Sequence, residues 1–278
     1  MNAVAAVTDP RTPAGPSDPL PLVLVVPCYN EAERLDPIAF ERAIAAYPWL
    51  QLLFVNDGST DGTAVVLEAL RARAPSRIAI NTLPHNVGKA EAVRLGLLEA
   101  CAAPHLLNGL CGFWDADLSA SLEELPTLRE TFARRPAVQW VWGIRLRALG
   151  HDVTRRALRH YLGRLFATCS SLLLGIDSYD TQCGAKLFRV GPLLQTALSE
   201  PFRSRWIFDV ELLTRAQALL QFIGSDPLER AVQEQPLAAW HHRAGSKVRS
   251  GDFLKALQEL LVIRRARARW YRPCTPFN

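Results

Sequence analysis

Residues 22–31 read LVLVVPCYNE and residues 52–62 read LLFVNDGSTDG. Each opens on a short, wholly apolar run, Leu22 to Val26 and Leu52 to Val55, and turns polar within a residue or two. Uninterrupted apolar runs of this length are the mark of strands buried on both faces, as in a parallel sheet. Between the two runs Ile38, Ala39, Ile44, Ala45 and Tyr47 recur at roughly helical spacing, so the order is strand, helix, strand. After Asp57 a Gly/Ser/Thr/Asp turn leads into a second helix over about 63–73, and a third strand is predicted over 77–83. This alternation predicts an α/β fold: an open, mostly parallel sheet with helices on both faces, Rossmann-like in architecture. Further helices are predicted at 88–101, 122–134, 154–174, 208–220 and 252–271, the last of them amphipathic.

Outward from that core the chain has three parts. Residues 1–20 contain Pro10, Pro13, Pro16 and Pro19 among small residues, a flexible tail that cannot build a packed element. Residues 21–248 form the main domain, and residues 249–278 a basic amphipathic helix and tail. With 278 residues, 49% of them hydrophobic and 21% charged, the chain supports a sizeable core, which excludes disordered and fibrous classes. The longest nearly uncharged apolar stretch, Leu165 to Ile176, is too short for a bilayer span and is interrupted by Thr168, Ser170 and Ser171. The N-terminus has no basic start followed by an apolar run, so the expected location is cytoplasmic. Six scattered cysteines without a CxxC pair argue against a disulfide framework or a zinc site. The net charge of +5 suits phosphates, anionic lipid or nucleic acid equally.

In an open α/β sheet ligands bind at the carboxyl ends of the strands. There the sequence places Pro27 to Glu31, Asn56 to Gly62, and His85-Asn-Val-Gly-Lys89, with no GxGxxG or GxxxxGK[ST] among them. A fourth strand-like end, Phe113-Trp114, runs into Asp115-Ala-Asp117. Two carboxylates at i and i+2 either decorate a solvated turn or grip a hard divalent cation through oxygen, leaving positions open for substrate phosphates. Between 143 and 164, Arg145, Arg147, Arg155, Arg156, Arg159 and Arg164 face only Asp152 as a nearby acid. Arg155 and Arg159 are i,i+4 neighbours that suit one phosphate, with Arg145 as a third cation. No aromatic interleaving accompanies the patch, so nucleic acid is not the expected partner.

Read together, Val25 to Glu31, Val55 to Thr63 and Asp115-Ala-Asp117 stand in the order and spacing of family 2 glycosyltransferases. The chain resembles that family over about residues 20–272, and within it the polyprenyl-phosphate enzymes, specifically the dolichyl-phosphate β-glucosyltransferase branch. Four further segments carry this likeness: Gly143-Ile-Arg145, Asp180-Thr-Gln-Cys-Gly-Ala-Lys186, Arg205-Trp-Ile-Phe-Asp209-Val-Glu211, and Gly245-Ser-Lys247. The resemblance implies a GT-A fold with a nucleotide-sugar site, in which Pro27, Tyr29 and Glu31 lie along the base and Asp57 hydrogen-bonds the base or ribose. It implies Asp115 and Asp117 as ligands of Mg²⁺ or Mn²⁺ on the diphosphate. Lys89 is either a further cation for the nucleotide or a solvated first-turn lysine, and Lys247 belongs to a loop that closes on the donor.

On the acceptor side the resemblance implies that Arg145 and Arg159 hold a lipid phosphate; Arg155 joins them by its spacing, and Gln182 and Lys186 are candidate sugar or phosphate contacts. Asp209 occupies the general-base position of relatives with hydroxyl acceptors. A phosphate acceptor is already ionised, in which case Asp209 orients Arg205, the sugar or the acceptor. Glu211 reads as a dipole partner of the same helix start. The C-terminal helix, with Phe253, Leu254, Leu257, Leu260 and Leu261 on one side and five arginines at its end, is either an interfacial membrane helix or a docked helix with a solvated basic end. The expected activity is metal-dependent, inverting transfer of a hexose from UDP-glucose, or alternatively GDP-mannose, to a polyprenyl phosphate by a protein peripheral at the inner membrane face. The runner-up is transfer to a hydroxyl of a soluble or glycolipid acceptor with Asp209 as base, and a third reading is a sugar-nucleotide-binding module without turnover.

Overall fold

A computed structural model of the chain describes residues 20–146, 152–153, 168–241, 252–267 and 270. Nine strands are described: β1 (Leu22–Cys28), β2 (Leu50–Asn56), β3 (Ile78–Thr82), β4 (Leu110–Trp114), β5 (Trp140–Ile144), β6 (Asp152–Val153), β7 (Ala185–Arg189), β8 (Val232–Pro236) and β9 (Ala239–Trp240). The helices are α1 (Pro37–Ala46), α2 (Thr63–Arg73), α3 (Lys89–Ala102), α4 (Leu125–Arg134), α5 (described over 168–174), α6 (Pro192–Ala197), α7 (Phe208–Phe222), α8 (Leu228–Ala231) and α9 (Asp252–Arg267). Seven strands form one mixed sheet in the order β3-β2-β1-β4-β7-β5-β8, and β6 and β9 pair separately. The pairs among β1, β2, β3 and β4 are parallel, as is β5 with β8, while β7 runs antiparallel to both its neighbours.

That order puts a change of winding direction between β1 and β4, the place where open sheets leave a crevice for ligand. The register Cys28↔Asn56, Asn56↔Thr82 and Trp114↔Ala185 lines up the ends of β1, β2, β3 and β4 with the start of β7. The loops after Cys28, Asn56, Thr82, Trp114 and Ile144, and the loop before Ala185, therefore leave the sheet along one edge.

Both faces are covered, which is why the strands read as unbroken apolar runs. On one face α3 and α7 pack over Val23, Val25, Val55, Phe113 and Trp142. Gly96 lets α3 approach closely, since a Cβ there would stand 2.5 Å from Val25 and 2.9 Å from Val55 side-chain carbons. On the other, Phe40, Leu67, Leu70, Leu125, Leu128 and Phe132 of α1, α2 and α4 cover Leu22, Leu24, Leu52 and Phe54. The caps follow their chemistry: Asp36 accepts from the Ala39 N–H at the start of α1, where Pro37 takes the first helical position. The helix predicted at 122–134 begins as a 3₁₀ turn, Leu122–Glu124, before α4. At the C-terminal end, α9 lays Ala256, Leu260 and Ile263 into the core cluster that contains α7. No helix among the described residues is long and apolar enough to cross a membrane.

Candidate active site

The first two motifs interlock. The Asn30 N–H donates to Ser59 Oγ at 3.1 Å, the Thr60 N–H donates to Asn30 Oδ1 at 2.9 Å, and the Glu31 N–H donates to Thr63 Oγ1 at 2.8 Å. The backbone is thus pinned where the resemblance places the base, with Tyr29 exposed and Pro27 half-buried beside it. The Glu31 carboxylate lies 3.4 Å from the Arg34 guanidinium.

Asp57 is buried, and its carboxylate accepts from the Val87 N–H at 2.7 Å, the Gly88 N–H at 2.9 Å and Asn86 Nδ2 at 3.0 Å. Its oxygens therefore hold the loop that leads into α3. Gly58, at φ 62°, lies so close to that loop that a Cβ would stand 2.5 Å from the His85 carbonyl carbon. Burial pushes the Asp57 carboxyl above the ordinary carboxylate value, against the lowering effect of the two backbone N–H groups.

The loop so held starts α3 at Lys89, whose Nζ stands 2.5 Å from Asp115 Oδ1. Burial disfavours this ammonium, but the Asp115 and Asp209 carboxylates outweigh it and raise the Lys89 pKa. The Asp115 N–H donates to the Gly184 carbonyl at 2.9 Å. Its carboxylate rests on the Gly184 α-carbon, where a Cβ would fall 2.1 Å from the Asp115 carboxyl carbon. Asp117 accepts from the Ser119 N–H at 3.0 Å and faces Arg34 at 3.4 Å.

The donor set fits a divalent cation. Both groups are hard oxygens, Asp115 Oδ1 is buried without a well-aligned hydrogen bond despite its lysine neighbour, and Gly184 leaves the room. Among the described residues no cluster of three or more His, Cys, Asp or Glu surrounds the pair. The two carboxylates would hold such a cation together with substrate phosphates, as Mg²⁺-type sites do.

Behind the pair stands an unusual lysine. β7 is buried over Ala185–Phe188, and Lys186 in it is 0% exposed. The register places Lys186 opposite Phe113 on β4 and Trp142 on β5, and its Nζ lies 5.0 and 4.4 Å from those ring centroids. Lys186 Nζ also donates to the Cys183 carbonyl and stands 2.9 Å from Asp209 Oδ1 in the first turn of α7. The side chain read from sequence as a sugar or phosphate contact is thus wholly inside, and its partner is Asp209. Burial raises the Asp209 carboxyl above the ordinary value, against Lys186 and Lys89, which lower it.

At the far end of the edge, Arg145 follows β5 and is forked onto Asp180, with Nε and an Nη at 2.6 and 2.7 Å from its two oxygens. Desolvation works against this guanidinium, and Asp180 outweighs it, keeping the charge. The Asp180 loop is tied to Glu234 of β8 through Ser178 Oγ at 2.5 Å and the Tyr179 N–H at 2.8 Å. Gln182 is exposed beside it. Arg155, Arg159 and Lys247 lie outside the described residues, as do Arg147, Arg156 and Arg164.

Sequence reasoning passed over Arg34 and Glu234, and it took in Asp180 and Gly184 only as part of the Asp180–Lys186 segment, with no role for either. The available signals were a glycine placed just before a strand and a lysine inside an apolar strand, and both need the sheet register before they acquire meaning.

An open sheet of this winding, with an acidic pair on its ligand edge, defines a GT-A glycosyltransferase. The sequence profile of glycosyl transferase family 2 matches residues 23–194, and the chain belongs to that family. It is 33% identical over 244 residues to the dolichyl-phosphate beta-glucosyltransferase of Drosophila melanogaster, spanning 78% of this chain and 68% of that one. To the enzyme of the same name in Mus musculus it is 32% identical over 265 residues, spanning 87% and 74%. Among solved structures it resembles glucosyl-3-phosphoglycerate synthase from Mycobacterium tuberculosis in complex with Mn²⁺, UDP-glucose and phosphoglyceric acid. That likeness has a TM-score of 0.62 at 16% identity over 92% of this chain and 82% of the other, and it concerns the fold.

Proposed function

We propose that the chain transfers glucose from UDP-glucose to a polyprenyl phosphate, with inversion at the anomeric carbon and with Mg²⁺ or Mn²⁺ held by Asp115 and Asp117. The observation that carries this reading is the alignment, along one sheet edge, of the glycine-cradled Asp115, the buried Asp209 and the forked Arg145. The dolichyl-phosphate names of the relatives support the acceptor, and the Mn²⁺ and UDP-glucose of the mycobacterial neighbour support the donor and metal.

A divalent cation on the acidic pair would neutralise the diphosphate as it leaves. Lys89 adds a second cation from the α3 start, where the helix dipole also favours anions. Arg145, held by Asp180, keeps an Nη free of that carboxylate's two bonds for the acceptor phosphate, with Arg155, Arg159 and Gln182 as further contacts. A phosphate monoester with a second pKa of about 6 is largely dianionic at neutral pH, so its oxygen attacks the anomeric carbon without surrendering a proton. Asp209 then orients the reactants instead of acting as a base. Exposed Leu261 and Val262 beside exposed Arg264 and Arg265 on α9 suit peripheral contact with an anionic membrane.

The test is release of nucleoside diphosphate from UDP-glucose and from GDP-mannose, with and without a short polyprenyl phosphate, in Mn²⁺ or in chelator. The expected result is UDP release that needs both lipid phosphate and metal, and that Asp117→Ala abolishes while the circular dichroism spectrum stays intact. GDP release in place of UDP changes the donor, full activity in chelator removes the metal, and turnover with an alcohol acceptor alone replaces the phosphate reading by the hydroxyl one.

A further inference from the structure

Glu259 lies on α9, outside the stretch matched by the family profile, yet its carboxylate reaches the loop that precedes Asp209. It accepts from Ser204 Oγ at 2.5 Å, from the Trp206 N–H at 3.1 Å, and from the Arg205 and Ile207 N–H groups at 3.3 Å each. From the other side, Glu211 accepts the Arg203 and Ser204 N–H groups at 2.9 Å. Every backbone N–H from Arg203 to Ile207 thus ends on one of two carboxylates. These N–H groups belong to the turn that precedes α7, and the Ile207 N–H also donates to Ser204 Oγ at 2.9 Å, the hydroxyl that itself donates to Glu259. Glu259 thus fastens the entry to α7 from another element, with charge-assisted bonds.

The strap so held touches the reaction edge at two points. Asp209, two residues after Ile207, faces Lys186 at 2.9 Å. The Arg205 side chain reaches the other way, to the Val87 carbonyl at 3.5 Å, and lies against Gly88 in the loop anchored by Asp57. Ala256, Leu260 and Ile263 fix α9 in the core on either side of Glu259. The outcome is a rigid link from the last helix to both halves of the site.

We propose that Glu259 is a positioning residue for glycosyl transfer: it holds the Arg203–Ile207 strap, and through it Asp209 and Arg205, in the geometry the reaction needs. The catalytic unit then runs through α9, which is a working part of it as well as a surface element. The activity arm of this inference rests on the role proposed for Asp209, and its structural arm does not.

The experiment uses the full chain with Glu259→Gln, Glu259→Ala and Ser204→Ala, each followed by kcat and KM, by UDP affinity in Mn²⁺, and by hydrogen exchange at the Arg205, Trp206 and Ile207 amides. Misplacing a reactive group by a fraction of an ångström is costly, so kcat is expected to fall about tenfold or more in Glu259→Ala, with UDP affinity within about twofold of wild type. Glu259→Gln, which keeps the length and one acceptor oxygen, should recover part of kcat, and the three amides should exchange about tenfold faster in the alanine variant. Faster exchange with unchanged kcat would reduce Glu259 to a structural brace and overturn the proposal, as would a loss accounted for by UDP affinity alone. Should the alanine variant fail to fold, Glu259→Gln decides: kcat at the wild-type level refutes positioning, and a fall with unchanged UDP affinity supports it. If wild type transfers no sugar under any condition, the functional reading fails, and unchanged exchange in the variants would then refute the brace by itself.

Discussion

Asp209 and Glu211 stand two residues apart at the start of α7, both buried, both facing a cation, yet they are built for different work. Glu211 is fully satisfied: one oxygen takes two backbone N–H groups, and the other takes Nε and an Nη of Arg215 at 3.2 and 2.7 Å. Arg215 spends its remaining donors on the carbonyls of Ala197, Glu200 and Pro201. Asp209 has, among the described residues, the Lys186 ammonium as its charge partner, and its buried Oδ1 has no well-aligned hydrogen bond. A buried carboxylate with every lone pair placed is a fastener, whereas one left short of partners beside a ligand edge is held ready for something else.

The largest expected effect falls on the fastener. Glu211→Ala strands an arginine that cannot lose its proton and frees the strap on one side, so stability should drop by about 3–5 kcal/mol. Urea denaturation checks this, and a loss below about 1 kcal/mol would erase the contrast.

Next comes the cradle under Asp115, a second carboxylate short of hydrogen bonds. Gly184→Ala pushes the acidic pair out of place, and affinity for Mn²⁺ with UDP should fall by about 10- to 100-fold, while Glu211→Gln should leave the affinity of its folded fraction alone. Calorimetric titration separates the two.

Asp209→Asn should cost less stability than Glu211→Ala, because asparagine keeps the side chain's size and an acceptor oxygen, and Lys186 keeps two aromatic faces and a carbonyl. With a phosphate acceptor, kcat should fall by less than about 10²-fold, whereas loss of a general base would remove about 10²–10⁴. The pH dependence has a definite sign. Burial raises the folded-state pKa of Asp209, so its contribution to stability is present below the unfolded carboxylate value of about 3.9 and is lost as pH rises through the raised value. Wild type should therefore lose ground against Asp209→Asn over that window, measured by denaturation at a series of pH values. A gain would reverse the assignment.

The smallest effect belongs to an exposed pair. Arg134→Ala breaks a 2.7 Å contact to Glu130 on the outer face of α4 and should change stability by no more than about 0.5 kcal/mol, because solvent already screens it.

What sequence could reach follows the same division. The parallel half of the sheet was legible because β1, β2 and β4 are unbroken apolar runs ending in polar turns, and the acidic pair was legible because it sits directly after one of them. The strands of the other half, β5, β7 and β8, escaped notice. Ala185–Arg189 hides a lysine and ends in an arginine, and Val232–Pro236 is half-buried throughout and reads as polar. The partners Arg34 and Glu259, and the roles of Asp180 and Gly184 within a segment already singled out, were illegible for a different reason. Their significance arises from register and from contacts across long stretches of chain, such as the 55 residues between Ser204 and Glu259.

Four carboxylates of this edge each stand against a cation: Asp115 against Lys89, Asp209 against Lys186, Asp180 against Arg145, and Asp117 against Arg34, which it shares with Glu31. The Lys89 ammonium is therefore already engaged by an internal carboxylate before any ligand arrives. On the function proposed above, recognition would work as ion exchange. A diphosphate would gain the ammonium of Lys89 only as Asp115 gave it up, and Asp115 would give it up only to another cation. Such a site would select for a cation and an anion arriving as a matched pair, with either alone a poor substitute for the internal partner already in place.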